Sequence, residues 1–164
     1  MGQPMPAYTD PAIDQQDLRA ALSQFATGVT IVTCNTDDGP VGMTANSFNS
    51  VSLDPALVLW SISKTSRRYN YFVTAKRFAI HVLDADQANL CMAFSKNAQA
   101  FDAAERWNTS EFGVPLIENC LSRFECETFA MHDGGDHTII IGKVYGLNTS
   151  SGRPLIFSQG GFLT

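Results

Sequence analysis

Short hydroxyl and amide side chains are concentrated at the start of the stretch from Met43 to Ser66. The small polar residues of its first half are Thr44, Asn46, Ser47, Asn49, Ser50 and Ser52. Such side chains, with backbone N–H groups beside them, can hydrogen-bond the heteroatom edge of a flat ring. The alternative that this pattern leaves open is a strand whose polar outer face simply meets water.

A second hydroxyl cluster, SISKTS from Ser61 to Ser66, follows an apolar run and contains one cation, Lys64. Hydroxyl groups and a lysine ammonium are groups that bind phosphate. A helix predicted directly after Ser66 would add its positive end. The two clusters together indicate a phosphorylated ring cofactor.

The segment HDGGDH, from His132 to His137, is the third candidate site. A metal site is conceivable because His and Asp are metal ligands. The spacing offers no compact pattern that would close a coordination shell, so we predict no metal. An ordinary turn is a plain alternative. The hypothesis we carry forward has His137 at a strand start, donating to a ligand or to a developing charge.

Composition and charge exclude several classes of function. The chain has 164 residues, of which 45% are hydrophobic and 16% charged, which is typical of one folded domain. A net charge of -5 without a basic stripe argues against nucleic-acid binding. No apolar run is long enough to span a membrane, and the start resembles no secretion signal. We therefore expect a cytoplasmic protein with four reduced, mostly buried cysteines, and the low charge favours a dimer.

The N-terminal part of the chain divides into an arm and a helix. Residues 1–12 carry three prolines and are expected to form a flexible arm, whereas residues 13–164 form a single domain. The helix is predicted to be capped by Asp14 and to end at Gly28. Its apolar face includes Leu18 and Leu22.

The rest of the chain reads as many consecutive strands with a few helices inserted. Strands are predicted at 29–35, 41–52, 56–62, 77–83, 120–131, 138–148 and 153–158, with turns at 36–40 and 132–137. Helices are predicted at 67–76, capped by Ser66, and at 86–95, with a helical turn and loop at 101–119. Because helices do not alternate with strands, the order favours an antiparallel β-barrel over a doubly wound parallel sheet.

The standard nucleotide-binding loops are absent from the sequence. It contains neither GxGxxG nor GxxxxGK[ST], and it lacks the GxSxG of serine hydrolases. A nucleotide cofactor must therefore be held in another way.

The order of several motifs resembles the short-chain flavin reductases, the NAD(P)H-dependent reductase components of two-component flavin monooxygenases. The motifs are FATGVTIVT, DGPVGMTANSFNSVSLDPALVLWSISKTS, FAIHVL, DQANLCMAFS, GVPLIENCLSRFEC, GGDHTIIIGKV and GRPLIFSQGGF. This resemblance implies a mainly β, antiparallel, Greek-key-like split β-barrel. It also implies a homodimer that binds FMN or FAD between its subunits.

The resemblance also implies roles for individual residues. The flavin ring would lie along Met43, Thr44, Ala45, Asn46, Ser47, Ser50, Val51 and Ser52. The ribityl phosphate would meet Ser61, Ser63, Lys64 and Ser66. His137 would sit near the nicotinamide, and Phe162 would close the pocket.

One segment departs from the family pattern. Many members carry a basic-acidic-basic run after the second predicted helix, whereas this chain has KNAQAF. Lys96 remains as a cofactor contact, but a neighbouring charge is missing, so the choice between FMN and FAD stays open. Arg67 and Arg68 are the alternative contacts for a second phosphate.

The implied reaction is hydride transfer from NADH, or from NADPH, to FMN or FAD. The reduced flavin would diffuse to a partner monooxygenase. Alternatives that keep the fold are a tightly bound flavin that reduces a corrinoid or ferric complex, an oxidase of pyridoxamine phosphate, and a non-enzymatic flavin-binding protein. The sequence does not name the final acceptor.

Overall fold

The computed structural model describes residues 13–163. The predicted flexible arm, residues 1–12, lies outside the described residues, so the division into an arm and a single domain of residues 13–164 stays a prediction. Among the described residues, no helix combines the length and the apolar character that crossing a membrane requires.

The described chain is mainly β with helices inserted between strands, as predicted. The strands are β1 Thr27–Gly28, β2 Thr30–Thr36, β3 Gly39–Ala45, β4 Asn49–Leu53, β5 Ala56–Ser63, β6 Arg77–Val82, β7 Trp107–Thr109, β8 Pro115–Ile117, β9 Ser122–Gly134, β10 His137–Thr149, β11 Ile156–Ser158 and β12 Gly161–Leu163. The α-helices are α1 Gln15–Leu22, α2 Tyr69–Thr74 and α3 Ala88–Lys96, and short 3-10 helices span Ala85–Gln87 and Ala100–Ala103.

A seven-stranded antiparallel sheet in the order β3-β2-β6-β9-β10-β5-β4 forms the body of the protein. Its two edge strands, β3 and β4, are joined by only residues 46–48. Such a connection spans at most about 14 Å, whereas the edges of a flat sheet of this width would lie about 29 Å apart. The sheet must therefore curl. Because β3 and β4 do not pair, the barrel stays open between them, which confirms the split β-barrel.

Two apolar clusters stabilise this barrel. The interior holds Trp60 and Phe72, whose rings meet edge to face at 5.1 Å, together with Phe78. The second cluster lies where α3 packs on the barrel wall, and both Leu90 and Phe94 point inward there, as the sequence predicted.

The first helix corrects one prediction and confirms another. Asp14 caps α1 by accepting hydrogen bonds from the backbone N–H groups of two first-turn residues, as predicted. The helix ends at Leu22, however, and Gly28 lies in β1, so the predicted end at Gly28 is wrong. The chain leaves the helix early because β1 must pair with β11. Leu18 and Leu22 are exposed rather than packed.

Several predicted boundaries differ from the structure because pairing partners override local pattern. The predicted strand 41–52 is split into β3 and β4 by the crossing between the barrel edges. Helix α2 begins at Tyr69, and Ser66 accepts a hydrogen bond from the Arg68 N–H at 3.2 Å without being its N-cap. The segment 101–119 contains the unpredicted hairpin β7–β8, and β12 was not predicted.

Candidate functional site

The three polar clusters of the sequence meet around one cavity between β3, β5 and the start of β10. This cavity, which we name the serine cavity, has a volume of about 310 Å³. Its lining consists of Met43, Thr44, Ala45, Asn46, Ser47, Ser61, Ser63, Ser66 and His137. The structure thus brings residues separated by more than 90 positions in the chain to one place.

Two further cavities adjoin the serine cavity and share lining residues with it. The cationic cavity, of about 380 Å³, is lined by Met43, Thr44, Ser66, Arg67, Arg68, Ser95 and Lys96. The phenylalanine cavity, of about 270 Å³, is lined by Val29, Thr44, Ala45, Asn46, Cys91, Met92, Ser95, Phe157 and Phe162. Because Thr44 lines all three, the cavities form one groove across β3.

A larger cavity of about 550 Å³ lies outside this groove, beside Asp84 and Glu118. Its lining includes several carboxylates and no basic side chain. Carboxylates repel a phosphate, so volume alone does not identify the site. The groove across β3 combines hydroxyl donors, cations and aromatic rings, and it is the better candidate.

Close packing against α3 holds β3 in position. A side chain at Gly42 would bring its Cβ within 2.6 Å of the Phe94 ring, so only glycine lets α3 approach this closely. The Gly42 N–H donates to the Ala98 carbonyl at 2.8 Å. The Thr44 hydroxyl donates to the Cys91 carbonyl at 2.8 Å. The polar strand is therefore fixed before any ligand arrives.

Ser47 and Asn46 have different environments although they are neighbours in the chain. The Ser47 hydroxyl accepts from the Ser61 N–H at 2.9 Å and donates to the Ser61 carbonyl at 3.1 Å. This side chain replaces the strand pairing that is lost where the chain crosses between the barrel edges. The Asn46 amide and the Ser61 hydroxyl, in contrast, make no hydrogen bond to another described side chain or backbone group, which leaves them for a ligand.

Lys64, predicted to meet the flavin phosphate, lies beside the β9–β10 turn, and its contact with a phosphate stays a prediction. Its ammonium donates to the Asp133 carboxylate and, at 2.6 Å, to the Gly135 carbonyl. The hydrogen bond between them raises the pKa of Lys64 and lowers the pKa of Asp133. Lys64 lines none of the three cavities. Lys64 follows the last residue of β5, and its backbone N–H donates to the Asp136 carbonyl at 2.9 Å, which places it beside the β9–β10 turn.

The basic side chains of the cationic cavity divide into one structural and two available cations. The Arg68 guanidinium donates to the carbonyls of Gly42, Phe94 and Ser95, joining β3 to the end of α3. Burial lowers the pKa of Arg68. Arg67 and Lys96 are exposed and form no ion pair within residues 13–163. These two are the cations that an anion in the groove can reach.

The predicted contacts on β4 do not reach the groove within a single chain. Ser50, Val51 and Ser52 lie beyond the crossing, on the opposite edge of the sheet from β3, and they line none of the three cavities. Ser50 and Val51 are exposed. Their contact with a cofactor stays a prediction.

His137 begins β10 opposite Ser63, at the edge of the serine cavity. Its Nδ1 is 2.8 Å from a carboxylate oxygen of Asp136. This hydrogen bond is the main cause that lowers the pKa of Asp136. With Nδ1 occupied, Nε2 is the ring nitrogen left for a ligand.

Met92, Ser95 and Phe157 line the groove and were not predicted as site residues. Met92 and Ser95 are three residues apart on the predicted helix, so they share a face that Leu90 and Phe94 do not occupy. The three-residue spacing of Met92 and Ser95 is the one feature of the sequence that could have indicated that they line the groove. Phe157 stacks edge to face on Phe162 at 5.8 Å, a contact that depends on the hairpin β11–β12.

Comparison with known proteins identifies the family. The profile of the flavin reductase like domain matches residues 22–164. The chain is 52% identical over 149 residues to the FMN reductase (NADH) SmoA of Agrobacterium fabrum, covering 91% of this chain and 85% of that protein. It is 43% identical over 150 residues to the reductase component of the flavin-dependent trigonelline monooxygenase of Acinetobacter baylyi, covering 91% of this chain and 48% of that protein.

A solved structure agrees with these relatives. The NADH:FAD oxidoreductase SgcE6 of Streptomyces globisporus superimposes with a TM-score of 0.86 at 35% identity, covering 95% of this chain and 97% of that one. The matched region contains every residue of the groove across β3. On its sequence and its fold, the chain belongs to the flavin reductase-like domain family.

Proposed function

We propose that this protein is an NADH-dependent flavin reductase that transfers a hydride from NADH to FMN or FAD. The observation that carries the proposal is the groove across β3, in which hydroxyl donors, two available cations and an aromatic wall adjoin one another. Its relatives are named as reductases that use these substrates.

The polar lining of the serine cavity fits the ring of a flavin. An isoalloxazine presents carbonyl and N–H groups along one edge, which need short donors and acceptors. The Asn46 amide and the Ser61 hydroxyl are unengaged within the described protein, and both face this cavity. Met43, Thr44 and Ala45 offer backbone and apolar surface beside them. We propose that the ring lies along Met43–Ser47.

The cation arrangement fits a phosphate at the opposite end of the ligand. Ser63 and Ser66 line the serine cavity, and Ser66 also lines the cationic cavity. Arg67 and Lys96 supply positive charge there without a competing carboxylate among the lining residues. We propose that these four side chains bind phosphate groups of the flavin; Ser63 and Ser66 are the ribityl-phosphate contacts that the resemblance implied, whereas Lys96 was expected near an adenine or pyrophosphate group.

The chemistry divides between the cofactor and the protein. A bound flavin supplies the hydride-accepting chemistry. The protein binds and orients the reactants: His137 presents Nε2 to the nicotinamide side of the cavity, and Asp136 holds the imidazole through Nδ1. Phe162 and Phe157 form an apolar wall that excludes water from the groove.

The product of this reaction requires an acceptor outside the chain. Among the relatives, the trigonelline protein is named as the reductase component of a flavin-dependent monooxygenase. We propose that reduced flavin leaves this protein and is consumed by a partner monooxygenase. A homodimer and a cytoplasmic location belong to the same proposal and rest on the sequence predictions.

A steady-state matrix tests the proposed function. NADH and NADPH are each combined with FMN, FAD and riboflavin, and oxidation of the nicotinamide is followed. We expect activity with NADH and at least one flavin nucleotide. Retention of flavin through gel filtration, together with reduction of a ferric or corrinoid complex, would favour the alternative acceptor. Flavin binding without any nicotinamide oxidation would favour a non-enzymatic flavin-binding protein.

A further inference from the structure

The β9–β10 turn that carries His137 is built from residues with little conformational preference of their own. Gly134 is the last residue of β9, and Gly135 follows it in the turn with a φ of 76°, a value that glycine adopts readily. Glycine loses more backbone entropy on ordering than any other residue. His137 itself is paired with Gly134 of β9 and with Ser63 of β5, and contacts from outside the hairpin further restrict the turn that precedes it.

Lys64 supplies three such contacts from the end of β5. Its backbone N–H donates to the Asp136 carbonyl at 2.9 Å. Its ammonium donates to the Asp133 carboxylate and to the Gly135 carbonyl. One residue thus binds the turn before, within and after its two glycines. The contacts end one position before His137.

We propose that Lys64 is a positioning residue for His137, acting through Asp133 and the glycine turn rather than on the flavin phosphate. The proposal deepens the proposed function, on which it rests, because His137 matters only if the groove binds flavin and NADH. It also separates Lys64 from Arg67 and Lys96, whose charges remain directed to the cationic cavity.

The expected effect is modest because the ion pair is exposed. The side chains of Lys64 and Asp133 are 39% and 78% exposed. Exposed pairs contribute little to stability. Loss of the pair should therefore loosen the turn without unfolding the protein, and it should raise the KM for NADH about two- to fivefold, with kcat changed less.

Three variants and one control test this proposal. Lys64→Met removes the ammonium and keeps the aliphatic stem, and Asp133→Ala removes the carboxylate that accepts from it. The variant with both changes completes a double-mutant cycle. Lys143→Met is the control, since Lys143 is exposed on β10 and lines none of the three cavities. We expect both single variants to raise the KM for NADH, Lys64→Met at least as much as Asp133→Ala because it also loses the contact with the Gly135 carbonyl, and the double variant to match Lys64→Met.

Two measurements without turnover accompany the kinetics. Titrations give the Kd for FMN and for riboflavin, which lacks the phosphate. Hydrogen exchange on the flavin-free protein follows the backbone amides of residues 133–137. We expect faster exchange there in Lys64→Met and in Asp133→Ala but not in Lys143→Met. We also expect the Kd for FMN to change less than twofold, because Lys64 lines none of the three cavities.

The opposite pattern would overturn the proposal. Lys64→Met could raise the Kd for FMN at least tenfold while its Kd for riboflavin stays unchanged and Asp133→Ala changes neither Kd. That result would show that Lys64 binds phosphate. Unchanged exchange in both single variants would also exclude a positioning role. If the unaltered protein oxidises no nicotinamide with any flavin, the proposed function fails and the positioning of His137 in NADH turnover fails with it. The exchange data would then still report whether Lys64 holds the turn.

Discussion

At the scale of single residues, the polar stretch Met43–Ser52 contains both structural and ligand-facing side chains. The Ser47 hydroxyl satisfies the backbone of Ser61, and the Thr44 hydroxyl satisfies the Cys91 carbonyl, so both have a structural role before any ligand binds. Asn46 faces the cavity with its amide unengaged by the described residues. The number of hydroxyl groups in this stretch therefore does not give the number of ligand contacts, because some of them bond the protein's own backbone.

Ser47→Ala should destabilise the protein before any flavin is added. The change leaves the Ser61 N–H and carbonyl without their partner, which costs about 1–2 kcal/mol in the free energy of unfolding. Urea denaturation of the flavin-free protein measures it. Ser50→Ala is the matched control, since Ser50 is exposed and its hydroxyl makes no hydrogen bond within residues 13–163. Equal stability of the two variants would contradict this account of Ser47.

His137→Ala should impair turnover without abolishing it. The flavin carries the redox chemistry, so loss of the imidazole removes one polar contact and lowers kcat/KM for NADH by roughly tenfold. The control is His132→Ala, which alters an exposed histidine of β9 that lines none of the cavities. Steady-state kinetics with a saturating flavin provide the comparison. Full NADH kinetics in His137→Ala would show that His137 is placed wrongly.

The sequence predicts the location of these residues better than their roles. The clusters at Met43–Ser52 and Ser61–Ser66 and the His137 turn are visible as composition, and the structure brings most of them to one cavity. The partners of Ser47 and Lys64 lie 14 and 69 positions away. Such pairings depend on the register of a curled sheet, which local pattern does not contain.

At the scale of elements, the contact between β3 and α3 sets the shape of the groove. Gly42 packs directly against the Phe94 ring, and the Arg68 guanidinium joins the two elements through the Gly42 and Phe94 carbonyls. The helix was predicted from its apolar spacing, whereas the hairpin β7–β8 was not. Its strands have three residues each and are too short to show a period.

Gly42→Ala should destabilise the protein because the methyl group would meet the Phe94 ring. Overpacking of this kind costs about 1–3 kcal/mol. Gly28→Ala is the control, because a Cβ at Gly28 meets nothing within 4 Å. Thermal unfolding of both variants provides the measurement, and a shift in Gly28→Ala as large as in Gly42→Ala would count against the packing argument.

His81 links β2 to β8 and makes the stability of the fold depend on pH. Its Nδ1 lies 3.0 Å from the Ile31 carbonyl, and its Nε2 accepts from the Ile117 N–H at 3.0 Å, so the buried ring is neutral. Burial lowers the pKa of His81 from 6.5 to about 4. Between pH 6.5 and about 4 only the unfolded chain binds a proton at His81. The contribution of neutral His81 to the free energy of unfolding is therefore complete above pH 6.5 and is lost as the pH falls towards 4.

Because of His81, the free energy of unfolding is predicted to fall by about 3 kcal/mol as the pH falls from 6.5 to about 4. Urea unfolding at a series of pH values from 7 down to 4.5 measures it, and His81→Gln supplies a side chain that does not titrate. We expect the free energy of unfolding to fall less steeply with acidification in the variant. Parallel curves for the two proteins would exclude His81 as the cause.

At the scale of the whole molecule, apolar side chains are exposed on two surfaces. Leu18 and Leu22 of α1 are 46% and 63% exposed, and Phe129 and Leu147 of the β9–β10 hairpin are 56% and 63% exposed. Large apolar side chains exposed to this degree are candidates for an interaction surface. These exposed side chains are consistent with the predicted homodimer. In such a dimer, residues 50–52 on β4 would be available to a flavin that binds between the subunits.

If the predicted homodimer forms and buries Leu147, Leu147→Lys should shift it towards monomer. A lysine at a buried interface position leaves an unpaired charge, which weakens association at least tenfold. Asn148→Lys adds the same charge to the neighbouring exposed position and serves as the control. Sedimentation velocity over a range of concentrations distinguishes the two. A monomer in the unaltered protein at all concentrations would contradict the predicted homodimer.

The fold class, the barrel and the family follow from the order of motifs along the whole chain. The identity of the cofactor follows from the same resemblance, because hydroxyl groups near a lysine are compatible with many phosphorylated ligands. The crossing at residues 46–48 and the opening of the barrel between β3 and β4 are visible only in three dimensions, since they depend on which strands pair.

The most direct test of the proposed flavin reductase activity is anaerobic mixing of the protein with FMN, FAD or riboflavin and with NADH or NADPH. Exclusion of oxygen keeps the reduced flavin from being reoxidised, so a single absorbance trace reports hydride transfer. We expect NADH to bleach the flavin absorbance of FMN or FAD far faster with the protein than without it. The absence of any protein-dependent bleaching with NADH or NADPH, for all three flavins, would contradict the assignment as a flavin reductase.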